Sequence, residues 1–598
     1  MLYLPFPILI GTAVICWMLS GRVQTRRLGG LASLAACVAL VLVLAGRWNV
    51  SLPVFTRSYT WAEVSGFSVV AGLQLDGLNL LLSIILLGGG ALVLWNLARS
   101  LSPGLVNYGE FFSALLLVLT GGLLALLSVD LLLLIFGWGV VVLGGTLARR
   151  ASGTEDGRSA AVLALAQPGG LLLLGAILLF GMTRRGGFTT SILSAAPVNP
   201  PVFAAWVTAV AAAMGLPIFG RPTSDEDSPI QLDALLFGCG LPLLAGYSLL
   251  RLYSLAAFGP AVWPPVYYHT LAAIGAIGAL CCAAAALQTG QLSAILGWQL
   301  SAQLGLMLLA LGVADQRGVI ASIALLVNAA LTTLVAGLAL SALVRRTGSA
   351  ELGVQQRLGR PLVAPGIAYA LAAASAVGIA PLWGFWARLW LLGVADRISW
   401  LLPVVILSSA LLALSYLGPL ALFWRSGSSP RQEQQEHRRA LEPPLLIGAT
   451  ALALPGLLPT EMWRVLLMQA AVDTLPPGAG AGSSLILPDL AGEIVLIALV
   501  FLLVALVRWR GVGQQQVPFT GGEPLDPDEG TPLEPAALGF SLRGLALLAQ
   551  PVQLHRALVR GLDALSAGLS WALQLVGGRY YLTGALMAMV ILLILMIA

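Results

Sequence analysis

The sequence predicts an all-α polytopic membrane protein with about 16 transmembrane helices. Three observations carry that expectation. The 598-residue chain is 58% hydrophobic and 10% charged, against about 25% charged residues in a soluble globular protein. Apolar runs long enough to cross about 30 Å of hydrocarbon recur along its whole length. Its arginines gather at the ends of those runs. Lipid offers backbone groups no partner, so each span must pair its own as a helix.

In chain order the runs lie near 2–20, 29–46, 76–97, 111–128, 130–147, 158–181, 201–219, 229–258, 268–287, 291–313, 318–344, 362–391, 399–424, 442–458, 487–507 and 580–598. The first lacks a basic leader and a small-residue cleavage site, so it reads as a span rather than a signal peptide. Arg22, Arg26 and Arg27 follow the first run. Arg149 and Arg150 follow the fifth, Arg345 and Arg346 the eleventh, Arg425, Arg431, Arg438 and Arg439 the thirteenth, and Arg508 and Arg510 the fifteenth. All follow odd-numbered runs, so they share one side, the cytoplasmic one by the positive-inside rule. Both termini are then expected outside; Arg184 and Arg185 fall on the opposite side.

Residues 473–486 read as a flexible outer loop and 509–540, with GEPLDPDEGTPLEP, as an acidic, proline-rich cytoplasmic loop. In 541–576 leucines recur at three and four, with Arg543, Arg556, Arg560 and Asp563 between them. That pattern is an amphipathic helix lying along the membrane or along partner helices. The expected divisions are 1–75, N-terminal helices and outer loop; 76–258 and 259–425, two repeats; 426–540, peripheral helices and loops; and 541–598, lateral helix and last anchor.

No lysine occurs. Lysine shifts its pKa readily on burial, whereas arginine stays charged. His269, His437 and His555 read as solvated or interfacial, and the five cysteines, in apolar runs without a C-x-x-C, as small buried hydrophobes. No metal, haem, iron–sulfur or nucleotide motif is present, and no cofactor and no nucleic-acid partner is expected.

Proline interrupts two runs in similar terms, in MGLPIFGRPTSDEDSPIQLDALL at 214–236 and VGIAPLWGFWARLWLL at 377–392. Paired broken helices point to an inverted-repeat transporter fold, because unwound backbone survives only where protein or water covers it.

Five stretches, in order, carry a resemblance. LQLDGLNLLLSII at 73–85, LLSVDLLLLIFGWGVVVLGG at 126–145, LQTGQLSAILGWQLSAQLGLMLLALGV at 287–313, LLVNAALTTLVAG at 325–337 and GIAPLWGFWARLWLL at 378–392 resemble the antiporter-like membrane subunits of respiratory complex I, energy-converting hydrogenases and multi-subunit cation/proton antiporters. The resemblance is good over 70–425 and looser at the ends. The 541–576 helix and final span resemble the C-terminal extension that clamps neighbouring subunits in the longest members.

Where that family keeps proton-relay groups, this sequence holds others. The resemblance places the family's glutamate at Gly139 and its lysines at Ala212, Ser293 and Thr333, while the last cation survives as Arg388. A relay needs groups that take up and release a proton near neutral pH. Glycine, alanine, serine and threonine cannot, and arginine is a fixed charge. Ionisable groups remain at Asp76, near a helix end and suited to accepting hydrogen bonds or meeting a partner subunit; at Asp233, in the second half of the first broken helix; and at Glu493, within the fifteenth run. Asp130 is expected at a tight, solvated turn.

The expected function is that of a non-catalytic membrane subunit of a complex I-like NADH:quinone oxidoreductase or related redox-driven translocase in a bacterial cytoplasmic membrane. It contacts other membrane subunits and lipid, and its own proton channel has lapsed. Two alternatives stand beside it: an active proton or cation path of water and hydroxyls around Asp233, Arg388 and Glu493, and a membrane partner in inorganic-carbon uptake.

Overall fold

A computed structural model describes residues 2–46, 54–55, 59–64, 67–100, 108–152, 200–216, 230–255, 265–313, 315–352, 362–393, 400–424, 435–457 and 467–474. Among these, nine helices are long and apolar enough to cross a membrane. The chain is a multi-pass helical membrane protein. The runs at 158–181, 487–507 and 580–598, the 541–576 helix and Glu493 lie outside the described residues.

Helices α1 (Pro5–Met18), α2 (Thr25–Ala45), α3 (Gly77–Ser100), α4 (Tyr108–Leu127) and α5 (Leu131–Ala151) form the first group. Proline in the first turn of α1 costs no hydrogen bond, since that N–H has no intrahelical partner. Asp130 starts α5 by accepting the Leu132 N–H at 2.8 Å. It is buried rather than solvated, because the turn folds back on Gly72 and Leu73 through the Val129 N–H and a Leu73–Ser128 bridge. The segment between α2 and α3 holds short strands, a departure from an all-helical chain. Val54–Phe55 pairs antiparallel with Gln74–Leu75, and Tyr59–Val64 with Phe67–Ala71.

The second group begins with α6 (Pro200–Ala213) and α7 (Ile230–Asp233), then a π-helix, Ala234–Gly240, and α8 (Leu241–Leu255). It continues with α9 (Pro265–Gln288), α10 (Leu292–Leu311), α11 (Gln316–Thr347), α12 (Val363–Val377), α13 (Trp383–Leu392), α14 (Leu401–Leu422), α15 (Gln435–Leu457) and α16 (Met468–Thr474). Asp315 caps α11 at its start, Gly348 ends it in the left-handed conformation at φ 75°, and Arg345 and Arg346 sit on its last, carbonyl-rich turn.

Antiparallel neighbours approach through small residues. A Cβ added at Gly121 would lie 2.7 Å from the Gly137 oxygen, joining α4 to α5. One added at Gly305 would lie 2.5 Å from the Ala279 nitrogen, joining α10 to α9. Such close contact is how membrane helices gain packing energy where lipid is as apolar as their own side chains. Burial then separates centre from rim: 94% of the apolar window of α11 is buried, against 44% for α2.

Candidate functional site

Among the described residues, helix ends lie at both proline-marked interruptions. At the first, α6 ends at Ala213 and Gly215 takes φ 65°; the next described residues are α7 and the π-helix. At the second, α12 ends on Gly378 at φ 96°, Ala380–Pro381 is cis, and α13 begins at Trp383. Breaking a helix frees carbonyls and N–H groups that lipid cannot satisfy.

Buried side chains from α10 and α11 meet that need. Ser301 donates to the Met214 oxygen at 2.8 Å, at the first break. At the second, Asn328 Nδ2 donates to the Ser375 carbonyl at 3.3 Å and to Gln303 Oε1 at 3.1 Å. Ser375 Oγ donates to Asn328 Oδ1 at 2.7 Å and accepts the Gly384 N–H at 3.1 Å. The crossing is tight there, because a Cβ at Gly384 would collide with the Ser375 carbonyl. Gln303 Nε2 donates to Thr332 Oγ1 at 3.1 Å, and Thr332 donates to the Asn328 oxygen at 2.8 Å. Gln299 Nε2 reaches Ser415 on α14 at 3.1 Å, and Trp383 Nε1 the Ala324 oxygen at 2.8 Å. These side chains are buried. Their contacts form an amide and hydroxyl network linking α10, α11, α12, α13 and α14.

Arg388 adds the charge. Its guanidinium donates to Ser409 Oγ and to the Ala376 oxygen beside the break, and its aliphatic stem fills the space a side chain at Gly378 would need. It holds a freed carbonyl and does not titrate.

The other predicted residues are dispersed. Thr333 is buried mid-helix on α11. One turn further, Gly337 packs so closely on Ala234 that a Cβ would collide with it, bringing this face of α11 against the residue that follows Asp233. Ala212 is buried in the last turn of α6, and Ser293 in the first turn of α10. Gly139 faces open space on α5, with nothing within 4 Å of a Cβ placed there.

Asp76 has a partner that sequence reasoning missed. Arg251, on α8, forms a buried ion pair with it. Arg251 also donates to Asn79 Oδ1 at 2.8 Å and, through Nε, to the Tyr247 hydroxyl at 2.9 Å. Tyr247 in turn donates to the Leu126 oxygen at 2.8 Å. Asp76 accepts from the Asn79 N–H at 2.8 Å and from Gln74 Nε2 at 3.1 Å. The node ties α8 to the ends of α3 and α4. A lone arginine four residues after a tyrosine, inside an otherwise apolar run, was the signal available in the sequence.

Residues 128–413 match the family model described as NADH:quinone oxidoreductase/Mrp antiporter, TM. This central region is similar to the antiporter-like membrane subunits that the family model describes. Its relatives include NADH-quinone oxidoreductase subunit N of Deinococcus radiodurans, 27% identical over 68% of this chain and 87% of that protein. Subunit L of Escherichia coli K12 is 26% identical over 48% of this chain and 47% of its own length. Among solved structures, a chain of the Mrp complex from Dietzia sp. superposes at TM-score 0.74 and 20% identity, covering 96% of this chain; the present chain spans 62% of its length. A chain of respiratory complex I from Thermus thermophilus gives TM-score 0.64 at 20% identity, over 79% of this chain and 99% of that one. A chain of an archaeal membrane-bound sulfane sulfur reductase gives 0.63 at 16% identity, over 79% and 98%. The antiporter-like fold therefore extends beyond the matched residues.

Proposed function

We propose that this antiporter-like chain is a membrane subunit of a redox-driven, complex I-like assembly in a bacterial cytoplasmic membrane. Its part there is to scaffold and seal, without a side-chain proton relay of its own. The host's redox cofactors and quinone chemistry belong to other subunits. What supports the reading is the network at the second break. The groups facing Asn328 are an amide, hydroxyls and backbone, and the cation beside them, Arg388, is a permanent charge. Such groups keep a broken helix closed in lipid and cannot store a proton.

The test is proton translocation per electron, normalised to assembled complex, in membranes carrying Arg388→Gln or Asp233→Asn. The expected result is an unchanged ratio wherever assembly is normal. A lowered ratio in fully assembled complex would put a working path through this subunit and end the scaffold reading.

A further inference from the structure

We propose that the α1–α2 turn and the outward face of α2 form a binding site for an anionic phospholipid. Arg22, Arg26 and Arg27 are exposed within six positions of one another. Among the described residues none of their side chains has an ion-pair or hydrogen-bond partner. The fold fixes where they stand. Gly29 packs on Ala98 and Phe112, and Ser33 Oγ donates to the Ala91 oxygen at 2.9 Å, so one face of α2 is committed to α3. Gly109, at the start of α4, abuts Cys16 and Ser20 and seats the turn from below; Glu110 beside it is the acid of that corner.

Among the described residues, nothing comparable is seated on the opposite face of α2. Leu31, Leu34, Val38 and Val41 are 38%, 65%, 38% and 62% exposed. They recur at three and four, so they form one stripe running directly away from the arginines. Ile15 and Met18, at the end of α1, stand exposed beside the turn. Three cations at the head of an apolar stripe match a phosphate headgroup joined to acyl chains. The span fits too: from Arg27 to Cys37 a helix rises about 15 Å, half of a hydrocarbon core of about 30 Å. A second transmembrane helix would cover the stripe and leave the three charges without a counter-ion. Charge complementarity therefore favours the lipid.

Cys37 supplies the probe, because it is exposed on this face while Cys16, Cys281 and Cys282 are buried. The full chain, carrying Cys239→Ser, is labelled at Cys37 with a fluorophore and reconstituted in nanodiscs with brominated phosphatidylglycerol or brominated phosphatidylcholine at equal mole fraction. Phosphatidylglycerol is expected to quench more strongly. Each arginine near an anionic surface is worth roughly fivefold in affinity. Arg22→Gln, Arg26→Gln and Arg27→Gln together should weaken the preference at least about tenfold, whereas Arg345→Gln should leave it unchanged. Equal quenching by the two lipids, a preference that survives the triple variant, or a preference abolished by millimolar inorganic phosphate would overturn the proposal. So would a zero-length crosslink from Cys37 to a neighbouring subunit in the assembled complex.

Discussion

At the N-terminal end of α3 the protein keeps a full charge pair, Asp76 with Arg251, wrapped by Asn79, Gln74 and Tyr247. Around the second break it keeps Asn328, Gln303, Thr332 and Ser375, bound to one another and to freed backbone. Both clusters are buried and both join helices far apart in sequence. Their stakes differ. Two opposite charges in low dielectric hold each other strongly but become costly as soon as one is removed. Amides and hydroxyls bind less strongly and lose less when one member goes. The ion pair acts as a rigid staple, and the neutral network as a set of caps on an interrupted helix.

That contrast predicts a ranking of effects. The largest belongs to the staple: Asp76→Asn, which leaves Arg251 charged and poorly compensated, should cost about 3–5 kcal/mol. It should be visible as a large fall in the thermal midpoint of the solubilised chain. Replacing both partners by leucine should recover most of the loss, and a double variant as unstable as Asp76→Asn would break the staple account. Asn328→Leu comes next, at about 1–3 kcal/mol for each buried group left unpaired. Ser375 and Gln303 are the groups at stake, and unfolding by steric trapping in bicelles can read the change. Gly378→Ala should cost about 1–3 kcal/mol, because alanine resists φ 96° and its methyl meets the Arg388 stem. If the cost comes from that contact, Arg388→Gln should relieve part of it. Thr333→Val should be the smallest, within about 0.5 kcal/mol, since Thr333 is not part of the hydrogen-bonded set that Thr332 belongs to.

Much of this architecture could be read before the structure. Uninterrupted apolar runs place α3, α4, α9, α10 and α11 within a few residues, because a membrane admits few alternatives to a helix of that length. Proline and glycine placed the interruption between α12 and α13 for the same reason. Asn328 and Thr332 are polar residues in a membrane run, but their bonding partners leave no trace in the sequence. Sequence reasoning set Thr333 at the seat of a lost titratable group; on the same helix, Asn328 bonds to the backbone of a helix 47 residues away. The Asp76–Arg251 pair spans 175 residues and leaves no periodic trace. Cys37 was expected inside with the other cysteines and is exposed, because composition alone does not say which face of α2 meets α3. Asp130 was expected in water and is a buried cap, since the turn it starts closes over the strands before α3.

The proposal that this antiporter-like module lacks a titratable side-chain relay is tested most directly at two of the positions where the sequence resemblance expects lysines. Ser293→Ala and Thr333→Val together remove the polar atoms there with little change in volume. Protons moved per electron by the assembled host complex should equal the wild-type ratio. A ratio lowered in proportion to this subunit's share of pumping would contradict the account.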